Sequence, residues 1–276
     1  MTLSSFDGVT AVVTGAAHGI GQALARQLAS QGAGVVAVDV RRDDVEALVH
    51  ELTDTGHRSL AVTCDVSCRS EVADLGRAVA RWAPDGVQLL CNNAGVFTPR
   101  HALTATHEDW QWVLGVCLWG TIHGVEEFLP GMVASGRAAH VLNTASMNGY
   151  VPNRVSALYS TAKYGVVGLS DTLRLELAGT QVGVTVLAPS AVRTNIGNSE
   201  EVRPSRFART RDDPFADYGL SAALSPDTVA ALALDGVRAG RDVVFTDPVV
   251  APMLDDQLAR LKGSWTTRGS NGSPSA

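Results

Sequence analysis

Three residues of the stretch 146–163, Ser146, Tyr159 and Lys163, are of types that can together move a proton on and off an oxygen. Tyr159 and Lys163 stand at i and i+4, so a helix through them places both on one face, about one turn apart. A free phenol titrates near ~10, too high to exchange protons readily at neutral pH. An ammonium held roughly 5 Å away favours the phenolate by about 3 kcal/mol at an effective dielectric of ~20, which draws the phenol towards neutrality. Such a tyrosine is a workable general acid or base. Ser146 closes the apolar run 140–146, and a hydroxyl at a strand's C-terminal end faces the crevice where open α/β sheets bind ligands. A Y-x-x-x-K pair alone is weak, because many helices carry a solvated lysine beside a half-buried tyrosine. The elements around it supply the weight.

Val9 to Val13 is a short β-branched run that leads through Thr14 into Gly15-Ala-Ala-His-Gly19-Ile-Gly21. The segment 22–29 then carries apolar residues at helical spacing before Gly32. Strand, glycine turn and helix form the context in which such glycines matter. They let the backbone approach a pyrophosphate, and the free N–H groups at the helix start receive its charge. A second strand, 34–38, ends in Asp39. An acid there accepts hydrogen bonds from both adenosine ribose hydroxyls and repels a 2′-phosphate, which favours NAD over NADP. Arg41 and Arg42, one step further on, pull the other way. Asp43 is the better placed of the nearby acids to cap the helix predicted over 43–53.

Strands over 60–63 and 86–91 follow, the first leading into Asp65-Val66 and a helix near Ser70, the second into Asn92-Asn-Ala-Gly95. Strands alternating with helices predict an α/β fold with a parallel sheet covered on both faces. A chain of 276 residues with 45% hydrophobic and 18% charged residues can bury the core this needs. The net charge of −6 argues against a nucleic-acid surface. No apolar run reaches the length of a membrane span, and the first residues lack the pattern of a secretory signal. Cys64, Cys68, Cys91 and Cys117 follow neither zinc nor redox spacing, and the histidines form no metal motif. These features predict a reduced, cytoplasmic protein with no metal.

Taken together, these motifs make the chain resemble a short-chain dehydrogenase/reductase over roughly residues 5 to 250. The resemblance rests on Thr14-Gly15-x-x-x-Gly19-x-Gly21, Asp65, Asn92-Asn93-Ala94-Gly95, Ser146, Tyr159-x-x-x-Lys163, and Pro189 with Thr194. It implies a single doubly wound Rossmann-type domain with a seven-stranded parallel sheet, here 1–262, and a nicotinamide cofactor used to interconvert secondary alcohols and ketones. It implies that Gly15, His18, Gly19, Ile20 and Gly21 meet the cofactor, that Asp65 and Val66 lie at the adenine, and that Asn92, Ala94 and Gly95 lie on the adenosine side. Tyr159 becomes the proton donor or acceptor, Ser146 orients the substrate oxygen, and Lys163 also holds the nicotinamide ribose. Pro189, Val192 and Thr194 lie at the carboxamide.

Two departures stand out. The family's usual asparagine in the long helix before the fifth strand, thought to fix a water that relays protons to the lysine, is Cys117 here, a poor donor and acceptor. Ser190 follows Pro189 where glycine is usual. Cys117 keeps open a rival reading, a cofactor-binding protein of this fold that has lost redox chemistry and serves as a sensor or accessory subunit. A non-redox relative such as a dehalogenase is disfavoured by the complete glycine turn.

Thr106-His-Glu-Asp109 predicts a capped start for a long helix carrying Trp110, Trp112 and Trp119. A second helix, over 155–177, carries Tyr159 and Lys163, and in the family such a helix pair builds a dimer face within a tetramer, which implies a homo-oligomer. The polar segment 195–224 reads as a lid over the substrate, with arginines at 203, 206, 209 and 211. The substrate pocket is expected between Val96–Arg100, Met147–Arg154 and this lid. From Gly263 the composition predicts a frayed tail.

Overall fold

A computed structural model describes residues 3–208 and 224–264. Its framework is a sheet of seven strands, all parallel neighbours, in the order β3-β2-β1-β4-β5-β6-β7. The strands are β1 (Thr10–Thr14), β2 (Gly34–Asp39), β3 (Ser59–Thr63), β4 (Leu89–Asn92), β5 (Ala139–Thr144), β6 (Val182–Ala188) and β7 (Val243–Phe245). The fold is the doubly wound α/β architecture that the alternating pattern predicts.

The central strands are buried along almost their whole length and are mostly apolar, because both faces are covered. Successive residues of one strand enter different cores. Val12, Val36, Leu90 and Val141 face one cluster, while Ala11, Val13, Val35 and Leu142 face the other. Helices α1 (Gly19–Ser30) and α7 (Pro226–Ala239) cover the second face, and α2 (Arg42–Asp54) joins them. The first face carries α3 (Arg69–Trp82), α5 (Gly120–Ala134) and α6 (Ala157–Glu176).

The strand order reverses between β1 and β4, and there the two loops that follow these strands meet. Thr14 at the end of β1 fastens them. Its Oγ1 accepts from the N–H groups of Asn93 at 2.9 Å and Ala94 at 3.0 Å, and Asn93 Nδ2 donates back to the Thr14 carbonyl at 3.0 Å. A parallel sheet opens a crevice at such a switch point.

Several elements differ from the sequence expectation. The long helix is three pieces: α4 (His107–Leu114), a π-helical turn over Gly115–Trp119 and then α5. Thr106 and Asp109 do form a capping box. Asp43 caps nothing. Arg41 occupies the N-cap of α2, and Asp43 and Asp44 lie in its first turn, where the helix dipole favours them. The segment 195–208 is not loop but two 3₁₀ helices, Asn195–Val202 and Ser205–Phe207. The rest of the expected lid, with Arg209 and Arg211, lies outside the described residues, as does the tail beyond Ser264. An eighth helix, α8 (Val250–Gly263), runs where no helix was anticipated. Of the three tryptophans, Trp112 is core, whereas Trp119 is 52% exposed.

Candidate active site

One cavity of about 970 Å³ runs along the C-terminal ends of the strands, from Asp39 and Asp65 at one end to Tyr159 and Ser146 at the other. Its floor is built from the loop after β1. Gly15 and Gly19 hold φ of +67° and +56°, values open to glycine and costly for other residues. A side chain at Gly15 would meet the Ala94 backbone at 2.8 Å, and one at Gly19 would meet Thr194 at 2.8 Å. His18 is the N-cap of α1 but gives it no side-chain hydrogen bond, because its ring turns to Asp44 at 3.1 Å. The first N–H groups of α1 are thus left uncapped beside the cavity, where an anion is favoured.

At the far end of this floor, Asp39 closes β2. One carboxylate oxygen accepts from the Ala17 N–H at 3.0 Å and the other from the Arg41 N–H at 3.1 Å. Both oxygens keep further acceptor capacity for a pair of hydroxyls. Asp65 is bound by the Ser67 N–H at 2.9 Å, by the Ser67 hydroxyl at 2.7 Å and by Arg206. Those bonds and the nearby guanidinium outweigh burial and hold the Asp65 carboxyl below its ordinary range. An open helix N-terminus, a glycine floor and a carboxylate along the same cavity suit a dinucleotide.

The chemistry-bearing residues meet at the other end. In α6, Leu158, Ala162 and Val166 pack into the protein and carry Tyr159 and Lys163 along the edge of the buried stripe. Lys163 is 2% exposed, donates to the Thr144 carbonyl at 2.7 Å, and sits 5.4 Å from the centre of the Tyr159 ring. Burial lowers the lysine from its ordinary value, with the Cys117 thiol as a smaller opposing influence. Phe97 meets the Tyr159 ring edge-on at 5.2 Å. Ser146, just past β5, accepts from the Asn148 N–H at 3.2 Å and reaches the Pro189 carbonyl at 3.5 Å.

Cys117 lies at the centre of the π-helical turn, fully buried. Its sulfur accepts from the Val96 N–H at 3.3 Å and its thiol donates to the Val96 carbonyl at 3.2 Å. Burial pushes the thiol up, against the opposing pull of the Lys163 charge, so it keeps the proton it donates. The sequence marked this residue as a poor donor and acceptor; the structure gives it both tasks, towards backbone.

Most of the residues singled out in the sequence wall the cavity: Gly15, His18, Gly19, Ile20, Asp39, Asp65, Val66, Ala94, Gly95, Ser146, Tyr159, Lys163, Pro189, Val192 and Thr194. Two do not. Gly21 lies behind the floor, where a side chain would run into the Gly15 carbonyl, so it serves packing of α1 on β1. Asn92 points into the sheet and donates to Asn143 at 2.9 Å, while its neighbour Asn93 reaches the cavity. The pocket expectation also needs trimming. Val96, Phe97, Pro99, Met147, Asn148 and Asn153 line the cavity, but Arg100 is buried against Asp109 instead. Trp112 and Val116 also line it, as do Val249, the N-cap of α8, and Met253 in its first turn.

Known proteins share this fold. A family model described as short chain dehydrogenase matches residues 9–204. The chain is 38% identical over 250 residues to a 1-deoxy-11-beta-hydroxypentalenate dehydrogenase of Streptomyces exfoliatus, covering 90% of this chain and 86% of the relative. It superposes on a short chain dehydrogenase/reductase from Burkholderia phymatum, solved in complex with NAD, with a TM-score of 0.89, 30% identity and 99% of each chain covered. A metagenomic short-chain oxidoreductase in complex with NADP gives a TM-score of 0.70 at 29% identity, over 87% of this chain and 96% of the other.

Proposed function

From the premise that the chain belongs to the short-chain dehydrogenase family, and is an oxidoreductase of that family, we propose that it interconverts a secondary alcohol and a ketone with NAD, Tyr159 acting as general acid and base. The supporting observation is that Ser146, Tyr159 and Lys163 wall the same cavity as the glycine floor and Asp39. The dinucleotide, when bound, supplies the hydride acceptor for oxidation and the donor for reduction.

Residues of the chain do the rest. Gly15, Gly19 and Ile20 offer backbone to the pyrophosphate, and Asp39 receives the adenosine ribose. Ser146 Oγ orients the substrate oxygen by hydrogen bonding. Tyr159 Oη takes the hydroxyl proton in oxidation and returns one to the carbonyl oxygen in reduction. Lys163, held by the Thr144 carbonyl, lends positive charge that favours the phenolate. Being shifted down by burial, it is also a readier proton donor than a solvated lysine. Phe97, Trp112 and Val116, packed with Tyr159 at this end of the cavity, suit an alcohol with a sizeable apolar body.

The test is Tyr159→Phe. NADH affinity, followed by fluorescence, should stay within about twofold, while turnover falls by roughly 10²–10⁴. Near-normal turnover would remove Tyr159 from the mechanism. The NAD preference is tested separately, by titrating NADH and NADPH in parallel.

A further inference from the structure

The stretch after β2 carries a contradiction: Asp39 repels a 2′-phosphate, yet Arg41, two residues on, also walls the cavity and would attract one. The structure shows where that guanidinium is committed. Arg41 Nη2 donates to Glu201 Oε2 at 2.9 Å, and its Nη1 stands 3.9 Å from Asp44 Oδ2. Arg42 points elsewhere, to Glu46 at 3.4 Å. His18 sits on Asp44. Among the described residues, the carboxylates of Asp39, Asp44 and Glu201 thus gather around the Arg41 cation at the end of β2.

Glu201 comes from the 3₁₀ helix Asn195–Val202, far away in sequence, and its placement is fixed by the segment that carries it. Arg203, 7% exposed, donates to buried Asp109 at 2.6 Å, and its guanidinium lies 4.1 Å from the centre of the Trp112 ring. Arg206 pairs with Asp65. Arg203 thus ties the segment to α4, while two ion pairs, Arg206 with Asp65 and Glu201 with Arg41, draw it over the adenosine end of the cavity, and the second of them engages the cation that NADP would need.

We propose that Glu201 is a cofactor-discriminating residue: by holding Arg41 and adding its own negative charge, it weakens binding of a dinucleotide bearing a 2′-phosphate. This rests on the reading of the cavity as a dinucleotide site. Glu201 does not line the cavity, so its removal leaves the contacts available to NAD in place.

The experiment is fluorescence titration of NADH and NADPH against the unaltered protein, Glu201→Gln, Arg41→Ala and the double variant. Glu201→Gln should tighten NADPH by roughly three- to tenfold, as expected for one exposed, partly screened charge pair, with NADH changed less than about twofold. The gain should vanish when Arg41 is also replaced. An unchanged NADPH affinity in Glu201→Gln, or the same gain without Arg41, overturns the assignment while leaving the dinucleotide site standing. Failure of the unaltered protein to bind either NADH or NADPH overturns both.

Discussion

At the scale of single residues, the site depends on burying a cation without stranding it. Lys163 has lost nearly all contact with water and keeps one carbonyl partner, Thr144, at 2.7 Å. Removing the amine while keeping the stem, as in Lys163→Met, should raise the apparent pKa of the base limb in a pH–rate profile, because the phenolate loses its neighbouring charge. An unmoved limb would show that the lysine does not set the acidity of Tyr159. Cys117 illustrates a different economy. Its thiol satisfies both the N–H and the carbonyl of buried Val96, so Cys117→Ala leaves two backbone groups without partners. That should cost about 1–3 kcal/mol in urea unfolding, and Cys117→Ser should recover most of it. Equal stability of the alanine variant would show that those contacts carry no net energy.

At the scale of elements, two of the three glycines of α5 carry opposite expectations. A side chain at Gly124 would meet Asn92 Oδ1 at 2.2 Å, and Asn92 belongs to a buried chain of amide and hydroxyl bonds running through Asn143 to Ser170. Gly124→Ala must push the helix off β4 or break that chain, and should destabilise by about 1–3 kcal/mol. At Gly131, in the same helix, the added methyl meets nothing within 4 Å. Gly131→Ala should stabilise by roughly 0.5–1 kcal/mol by restricting the unfolded chain. Thermal unfolding of the two variants compares them directly; a shift of the same sign in both would refute the packing account. The π-helical turn between α4 and α5 fits this picture, since it brings Cys117 inward while Trp119, two residues on, faces solvent.

At the scale of the molecule, acid sensitivity should enter through the sheet rather than the cavity. His140 on β5 is 1% exposed, and burial lowers it from 6.5 to about 4. Thr185 donates its hydroxyl to the Arg241 carbonyl at 2.6 Å, so the 2.8 Å bond between His140 Nε2 and Thr185 is donated by the ring. The proton is therefore on Nε2. Nδ1 has no hydrogen-bond partner among the described residues and presses on Gly183. Protonating it strands a charge. Between the two pKa values the unfolded chain binds the extra proton and the folded one does not, so stability held above pH 6.5 is lost as pH falls towards 4. The full loss is about 3 kcal/mol. His140→Gln keeps a donor for Thr185 and does not titrate, so its unfolding free energy should lack this slope; an identical profile would acquit His140.

Much of this protein was legible from its residue order. Strands buried on both faces must be largely apolar, and helices crossing over them must follow, so alternating runs announce a parallel sheet. The glycine floor, Asp39, Ser146 and the Tyr159–Lys163 pair are local patterns whose geometry follows from strand, turn and helix repeats. Other features depend on segments distant in sequence meeting in space. That Asn92 turns inward while Asn93 reaches the cavity follows from which strands flank β4. The partners of Cys117 were hidden because they are backbone groups of another element. Above all, the sequence shows Arg41 as a cation with no stated allegiance. Only the folded chain, by bringing Glu201 to within 2.9 Å of it, assigns that charge, because Coulomb attraction depends on distance in space and not on separation along the chain.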